Sequence, residues 1–219
     1  MQTKQRGFTL VEIAIVLVII GLLLGGILKG QEMITQAKIK NVIADMSGVS
    51  AAMYGYQDRY KALPGDDLKA DRWAGTAAGN GNGVIEGKYS DAATAESMQF
   101  WNNLRLAGFV SGSGATNPFN AVSGKMGVQT GDGSGATPAG VLGEAADTKL
   151  FGGLIMCSAN LPDKIAISVD AQMDDGDGKK GSVRAMKQTA GPNPDLVAKA
   201  SADAYSEDGV SSYVVCRQM

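Results

Sequence analysis

Residues 8–28, FTLVEIAIVLVIIGLLLGGIL, form an apolar run of 21 positions interrupted by a single charge, Glu12. As a helix rising about 1.5 Å per residue, such a run spans roughly 30 Å, the hydrocarbon thickness of a bilayer. Beyond it the pattern changes but the helix is predicted to continue. Ile39, Val42, Ile43, Met46, Val49, Met53, Tyr56 and Tyr60 recur at steps of three and four with polar residues between them, one apolar stripe on a solvated helix. Pro64 bounds the stripe; a proline pushes the residue before it out of the helical region, so Leu63 is the expected end. A helix from Phe8 to Tyr60 would be roughly 80 Å long and cannot bury itself. Its first half needs lipid or other helices, and its second half needs a head domain. Gly21, Gly25, Gly26 and Gly30 each cost about 1 kcal/mol relative to Ala and mark where this rod is weakest, while their small size favours close helix packing.

After residue 63 the chain turns polar and rich in glycine. A second helix is predicted around 92–108, which places Phe100, Trp101, Leu104 and Leu106 within two turns, with the Phe100–Trp101 pair as the core candidates and Gly108 as its stop. Three runs read as strands, 153–157, 164–169 and 211–216, being apolar or alternating and enriched in β-branched residues. They predict an antiparallel sheet packed on the second half of the long helix, an α+β head. Residues 111–143 show no periodicity and are expected to form surface loops or a short irregular hairpin. The Asn80-Gly-Asn82-Gly-Val-Ile85 string reads as a turn, since an EF-hand would need acids where Ala78 and Tyr89 stand.

Composition removes most catalytic options. Among 219 residues there is no His and there are two Cys, which excludes a Ser-His-Asp triad, a Cys-His pair, a His-ligated zinc and a four-sulfur site. With 20 Lys+Arg against 22 Asp+Glu the net charge is −2, which argues against a nucleic-acid surface working by counterion release. Ser123-Gly124-Lys125 lacks the glycine and the hydroxyl of a phosphate-binding loop. Asp66, Asp67 and Glu86 are acids that no pattern places across a cleft. The expectation is a structural protein that needs no cofactor, not an enzyme.

Lys4 and Arg6 precede the apolar run with no acid among them, which by the positive-inside bias leaves residues 1–7 in the cytoplasm and sends the rest across the membrane. A secretory signal peptide would have a shorter apolar core and a small-residue cleavage site. A plain anchor would not keep Glu12, since a carboxylate within a membrane helix costs about 2.5–3.5 kcal/mol on insertion scales unless paired. The string Lys4-Gln-Arg6-Gly7-Phe8-Thr9-Leu10-Val11-Glu12, followed at once by the apolar run, closely resembles the class III leader of type IV pilins and of the pseudopilins of type II secretion systems. The resemblance covers residues 1 to about 60; the head matches only in outline.

The resemblance implies a pilin-like fold with a leader at 1–7, a long helix at 8–63 whose 8–28 part is transmembrane and later filament core, and a head at 64–219. It implies that a prepilin peptidase cuts between Gly7 and Phe8 and methylates the new terminus. Glu12 then becomes the fifth residue of the mature chain, and a neighbouring subunit's Phe8 ammonium can meet it in an apolar bundle, where low dielectric strengthens the pair. Removing one partner would strand a buried charge at about 3–5 kcal/mol, which selects the axial register. The implied partners are other pilin subunits in a homopolymer or heteropolymer, the peptidase, and an assembly platform with its ATPase. The implied location is the inner membrane, with the head outside, and then a surface filament. The alternatives are a pseudopilin in a periplasmic pseudopilus, or a minor subunit acting as an adhesin or DNA receptor. Many pilins carry a Pro where Lys29 stands here; whether the glycines replace its helix-loosening effect stays open.

Two features of the head belong to this picture. Cys157 and Cys216 on the exported side are most simply a disulfide, and the family's C-terminal disulfide-bounded region supports it. Between them, Asp170, Asp174, Asp175 and Asp177 fall within eight residues, interrupted by Gly176 and followed by Gly178. Two readings stay open: a solvated acidic turn with Lys179 and Lys180 as counter-charges, or a calcium loop like that of some pseudopilins. Lys179, Lys180, Arg184, Lys187 and Lys199 form a weak basic cluster with no interleaved aromatic to stack bases.

Overall fold

The computed structural model describes residues 7–89, 91–144, 149–189 and 201–219. The leader cations Lys4 and Arg6, and Lys199 of the basic cluster, lie outside the described residues. Helix α1 runs Leu10–Tyr60 without a break. Gly21, Gly25, Gly26 and Gly30 are helical and open to space on the side a Cβ would occupy. The chain divides into two compact units, one ending at Ala37 and one beginning at Lys38.

In the first unit no described residue is buried. Leu10, Leu22 and Leu28 are 87 %, 74 % and 66 % exposed, and apart from Glu12 every exposed residue from Leu10 to Leu28 is apolar or glycine.

The second unit contains the rest of α1, the helices α2 (Glu96–Leu106) and α3 (Asp163–Met173), and a four-stranded antiparallel sheet. Its strands are β1 (Met126–Thr130), β2 (Leu154–Pro162), β3 (Val183–Lys187) and β4 (Ser212–Gln218), in the order β1-β2-β4-β3. The stripe on α1 is buried at Ile39, Val42, Met46, Val49, Met53 and Tyr56, and half-buried at Ile43 and Tyr60. It shares one core with Phe100, Trp101 and Leu104 of α2, with Ile165, Ala166 and Val169 of α3, and with one face of the sheet. Along β4 the alternation is strict: Tyr213 and Val215 enter that core, and Val214 and Cys216 enter a second one under the opposite face with Tyr89, Leu142 and Phe151. Asn160, at φ 57°, forms a bulge in β2 that returns Leu161 to the α1 side of the sheet.

Three expectations differ from the structure. α1 ends at Tyr60, three residues before Leu63, because Lys61 turns into the left-handed region at φ 55°. The run 164–169 is helical, not a strand. Ile165 and Ala166 stand about one turn before Val169, so a helix presents all three to the core, and this packing overrides a weak β-branched preference. Finally, β1 is a regular strand within 111–143, where the pattern predicts loops or a short irregular hairpin, and β3 lies where no strand signal stands. β1 reads MGVQT, with a glycine required because a Cβ on Gly127 would stand 2.5 Å from the Tyr89 ring. It also has a buried Gln129 that accepts the Tyr89 N–H at 2.9 Å. β3 carries Arg184, which is buried with its guanidinium over the Phe151 ring and its N–H groups on the carbonyls of Leu142, Lys149 and Gly181.

Candidate functional site

The N-terminal segment combines an accessible peptide bond with a capped helix start. Gly7 lies in open space and Phe8 is 83 % exposed, so nothing among the described residues shields the Gly7–Phe8 bond. Thr9 stands just before the first helical residue, and its N–H and hydroxyl both donate to Glu12 Oε2 at 2.8 Å, while Glu12 N–H donates to Thr9 Oγ1 at 3.3 Å. This reciprocal pair is a capping box. The acid that the sequence singles out thus has a role inside its own helix as well as any role between subunits. Its sequence signature is Thr9-x-x-Glu12, set inside an apolar run whose hydropathy alone reads as membrane-spanning. α1 contains a stretch long and apolar enough to cross a bilayer.

Cys157 on β2 and Cys216 on β4 form a disulfide. The two residues are directly opposite in the ladder and both are fully buried. The bond therefore joins the two central strands of the sheet rather than pinning a peripheral tail to it.

Of the four acids in the 170–177 segment, three converge. Asp170, Asp174 and Asp175 each bring a carboxylate oxygen within 4.8 Å of the others. Asp177 is turned to its own Lys180 at 2.9 Å. Asp170 is buried at the C-terminal end of α3 and accepts the Tyr205 hydroxyl at 2.8 Å and the Gly176 N–H at 3.3 Å. Burial, which outweighs these hydrogen bonds, and the charges of Asp175 and Asp174 together push the Asp170 carboxyl up to about 6. Asp174 accepts the Ser182 and Val183 N–H groups, and Asp175 accepts that of Asp177. The set offers only oxygen donors, and the repulsion it carries suits a hard divalent cation.

Other sequence candidates are occupied otherwise. Of the basic cluster, Arg184 is turned inward to Glu144 at 3.3 Å, Lys180 to Asp177, and Lys187 toward Asp208 at 3.9 Å. Asp66 and Asp67 are buried and bonded to the chain around them, and Glu86 takes hydrogen bonds from two asparagine side chains.

Residues 2–28 match the family model described as the prokaryotic N-terminal methylation motif, which marks the class III leaders of type IV pilins and pseudopilins. No curated protein and no solved structure matches the chain.

Proposed function

We propose that this chain, whose leader motif marks a type IV pilin-like or pseudopilin subunit, is a structural subunit of a type IV pilus-like filament. The carrying observation is the junction at residues 7–12: a methylation motif whose Gly7–Phe8 bond is exposed, leading straight into a helix with no buried apolar residue before the head. A prepilin peptidase cuts after Gly7 and methylates Phe8. The first half of α1 holds the subunit in the inner membrane until an assembly platform and its ATPase draw it into a filament. Each Leu or Ile then withdrawn among neighbouring helices contributes about 1.5–3 kcal/mol relative to water. Lipid already shields these side chains before assembly, so close packing and charge pairing must supply the selectivity. Glu12 provides that pairing, meeting the Phe8 ammonium of a neighbour.

Calcium is the ion we assign to Asp170, Asp174 and Asp175, as a stabiliser of the turn after α3 and not as a catalytic group. The support is the convergence of three carboxylates at the end of one helix.

Mass spectrometry of sheared filaments tests the main reading. A chain beginning at methylated Phe8, abundant in the filaments and lost from them on Glu12→Ala, is the expected result. A processed chain retained in the envelope and missing from the filaments would make it a pseudopilin or a minor subunit, to be followed by secretion assays. An uncut Gly7–Phe8 bond in cells that hold the peptidase would overturn both.

A further inference from the structure

We propose that Asp66, with Glu86, keeps Asn80 and Asn82 in their amide form, so that the loop at 79–87 is a pair of latent deamidation sites which the folded head prevents from reacting. Asn80-Gly81 and Asn82-Gly83 are the chain's two Asn-Gly pairs. This dipeptide favours the reaction because glycine has no side chain to hinder attack by its own nitrogen. The glycine nitrogen loses its proton to hydroxide and bonds to the asparagine Cγ. The Cγ–Nδ2 bond breaks, and the amide nitrogen takes a proton from water and leaves as ammonia. Water then opens the cyclic imide to aspartate or isoaspartate.

Both reacting ends are held. Gly81 N–H donates to Asp66 Oδ1 at 2.6 Å and Gly83 N–H to Asp66 Oδ2 at 2.7 Å, with Asn82 N–H adding a third bond at 3.2 Å. Asp66 is 4 % exposed, so each nitrogen would have to become an anion beside a buried carboxylate, and the charge-assisted hydrogen bond must break first. The electrophiles are committed as well. Asn80 Nδ2 and Asn82 Nδ2 both donate to Glu86 Oε1 at 2.8 Å. Their Oδ1 atoms accept the N–H groups two residues on, from Asn82 at 3.0 Å and Val84 at 2.8 Å. These bonds bind each amide to its neighbours instead of leaving it to swing onto the adjoining glycine. The loop is also pressed against the residue that clamps it: a Cβ on Gly79 would stand 2.4 Å from the Asp66 backbone.

The arrangement has a direction. Turning either asparagine into an acid would replace an N–H donor to Glu86 with a carboxylate, beside Asp66 and near Glu96, which accepts the Asn80 N–H at 3.1 Å. The first conversion therefore sets like charges against one another and loosens the clamp on the second.

The test uses the full chain in detergent, incubated at mildly alkaline pH, digested, and scored by mass spectrometry for the one-dalton gain at Asn80 and Asn82. Unmodified protein should react far more slowly folded than in urea. Asp66→Asn, folded by circular dichroism, should react about tenfold faster than the unmodified folded protein at both sites, the factor expected from losing a charge-assisted hydrogen bond. A folded Asp66→Asn that reacts no faster, or an unmodified chain that reacts as fast folded as unfolded, overturns the proposal. Should Asp66→Asn not fold, hydrogen exchange in the unmodified protein decides. Protected amides at Gly81 and Gly83 sustain the clamp, and exchange at the unfolded rate in a folded head refutes it.

Discussion

Tyr56, on the buried face of α1, donates its hydroxyl hydrogen to Asp67 Oδ2 across 2.6 Å, and Arg72 Nη1 reaches the same oxygen at 2.8 Å. The Arg72 guanidinium in turn lies 4.7 Å from the Tyr60 ring centroid and 4.9 Å from that of Trp73. The end of the long helix is thus tied to the 61–79 segment by one buried carboxylate.

Replacing Tyr56 with Phe should cost about 1.5–3 kcal/mol, the value of a hydrogen bond to a charged acceptor. Asp67→Ala should cost about 2–3 kcal/mol, less than a fully buried pair because Arg72 keeps part of its hydration. Burial raises the Asp67 carboxyl, but the hydrogen bonds from Tyr56, Lys69 and Arg72 and the Arg72 charge outweigh it and hold the group below its ordinary 3.8. Its contribution is therefore complete above that value and lost as pH falls through the lowered one. Urea unfolding of Asp67→Asn should show a shallower acid limb than the unmodified protein. An unchanged limb would remove Asp67 from the account.

Asp170 works in the opposite direction. Its carboxyl is raised to about 6 from an ordinary 3.8, so the stability it contributes is complete below the ordinary value and disappears as pH rises through about 6. Calcium should compensate only where Asp170 is ionised. Added calcium should raise Tm well above that pH and leave it unchanged well below, and Asp174→Asn should abolish the shift. A Tm indifferent to calcium at both pH values would leave the segment as a hydrogen-bonded acidic turn.

The disulfide closes a loop with a sequence separation of 59, worth about 4 kcal/mol in the chain-entropy model. Since Cys157 and Cys216 sit on strands already paired by their backbones, the Cys157→Ser, Cys216→Ser double variant should keep its far-ultraviolet circular dichroism while its urea midpoint falls. Loss of the sheet signal without denaturant would mean that the bond, and not the ladder, holds the register.

Glu12 caps its own helix and, in the proposed filament, also pairs with a neighbour's ammonium; Thr9 distinguishes the two. Thr9→Ala removes the hydroxyl half of the capping box, a change of about 1 kcal/mol at a helix terminus, and should leave filament assembly nearly intact. Glu12→Ala should leave Gly7–Phe8 cleavage intact and abolish incorporation. Equal assembly defects in the two variants, read from sheared filaments, would assign Glu12 to the cap alone.

Periodicity and local chemistry were enough to read α1, its buried stripe from Ile39 to Tyr56, the buried aromatics of α2, and the central strands β2 and β4, because each writes its environment into a run of like side chains. The leader motif that contains Gly7, Phe8 and Glu12 was legible for a similar reason: a motif depends on adjacent positions. Tertiary structure alone decided that 164–169 coils into α3, that a strand could be built from MGVQT against the Tyr89 ring, and that Arg184 turns inward to carbonyl groups. It also separated Asp177 from the other three acids and brought Asp66 to the amides of Gly81 and Gly83. The physical reason is range. A stripe or a motif is an interaction of a residue with neighbours along the chain, whereas a buried polar group is positioned by a partner far away in sequence, whose distance no local pattern encodes.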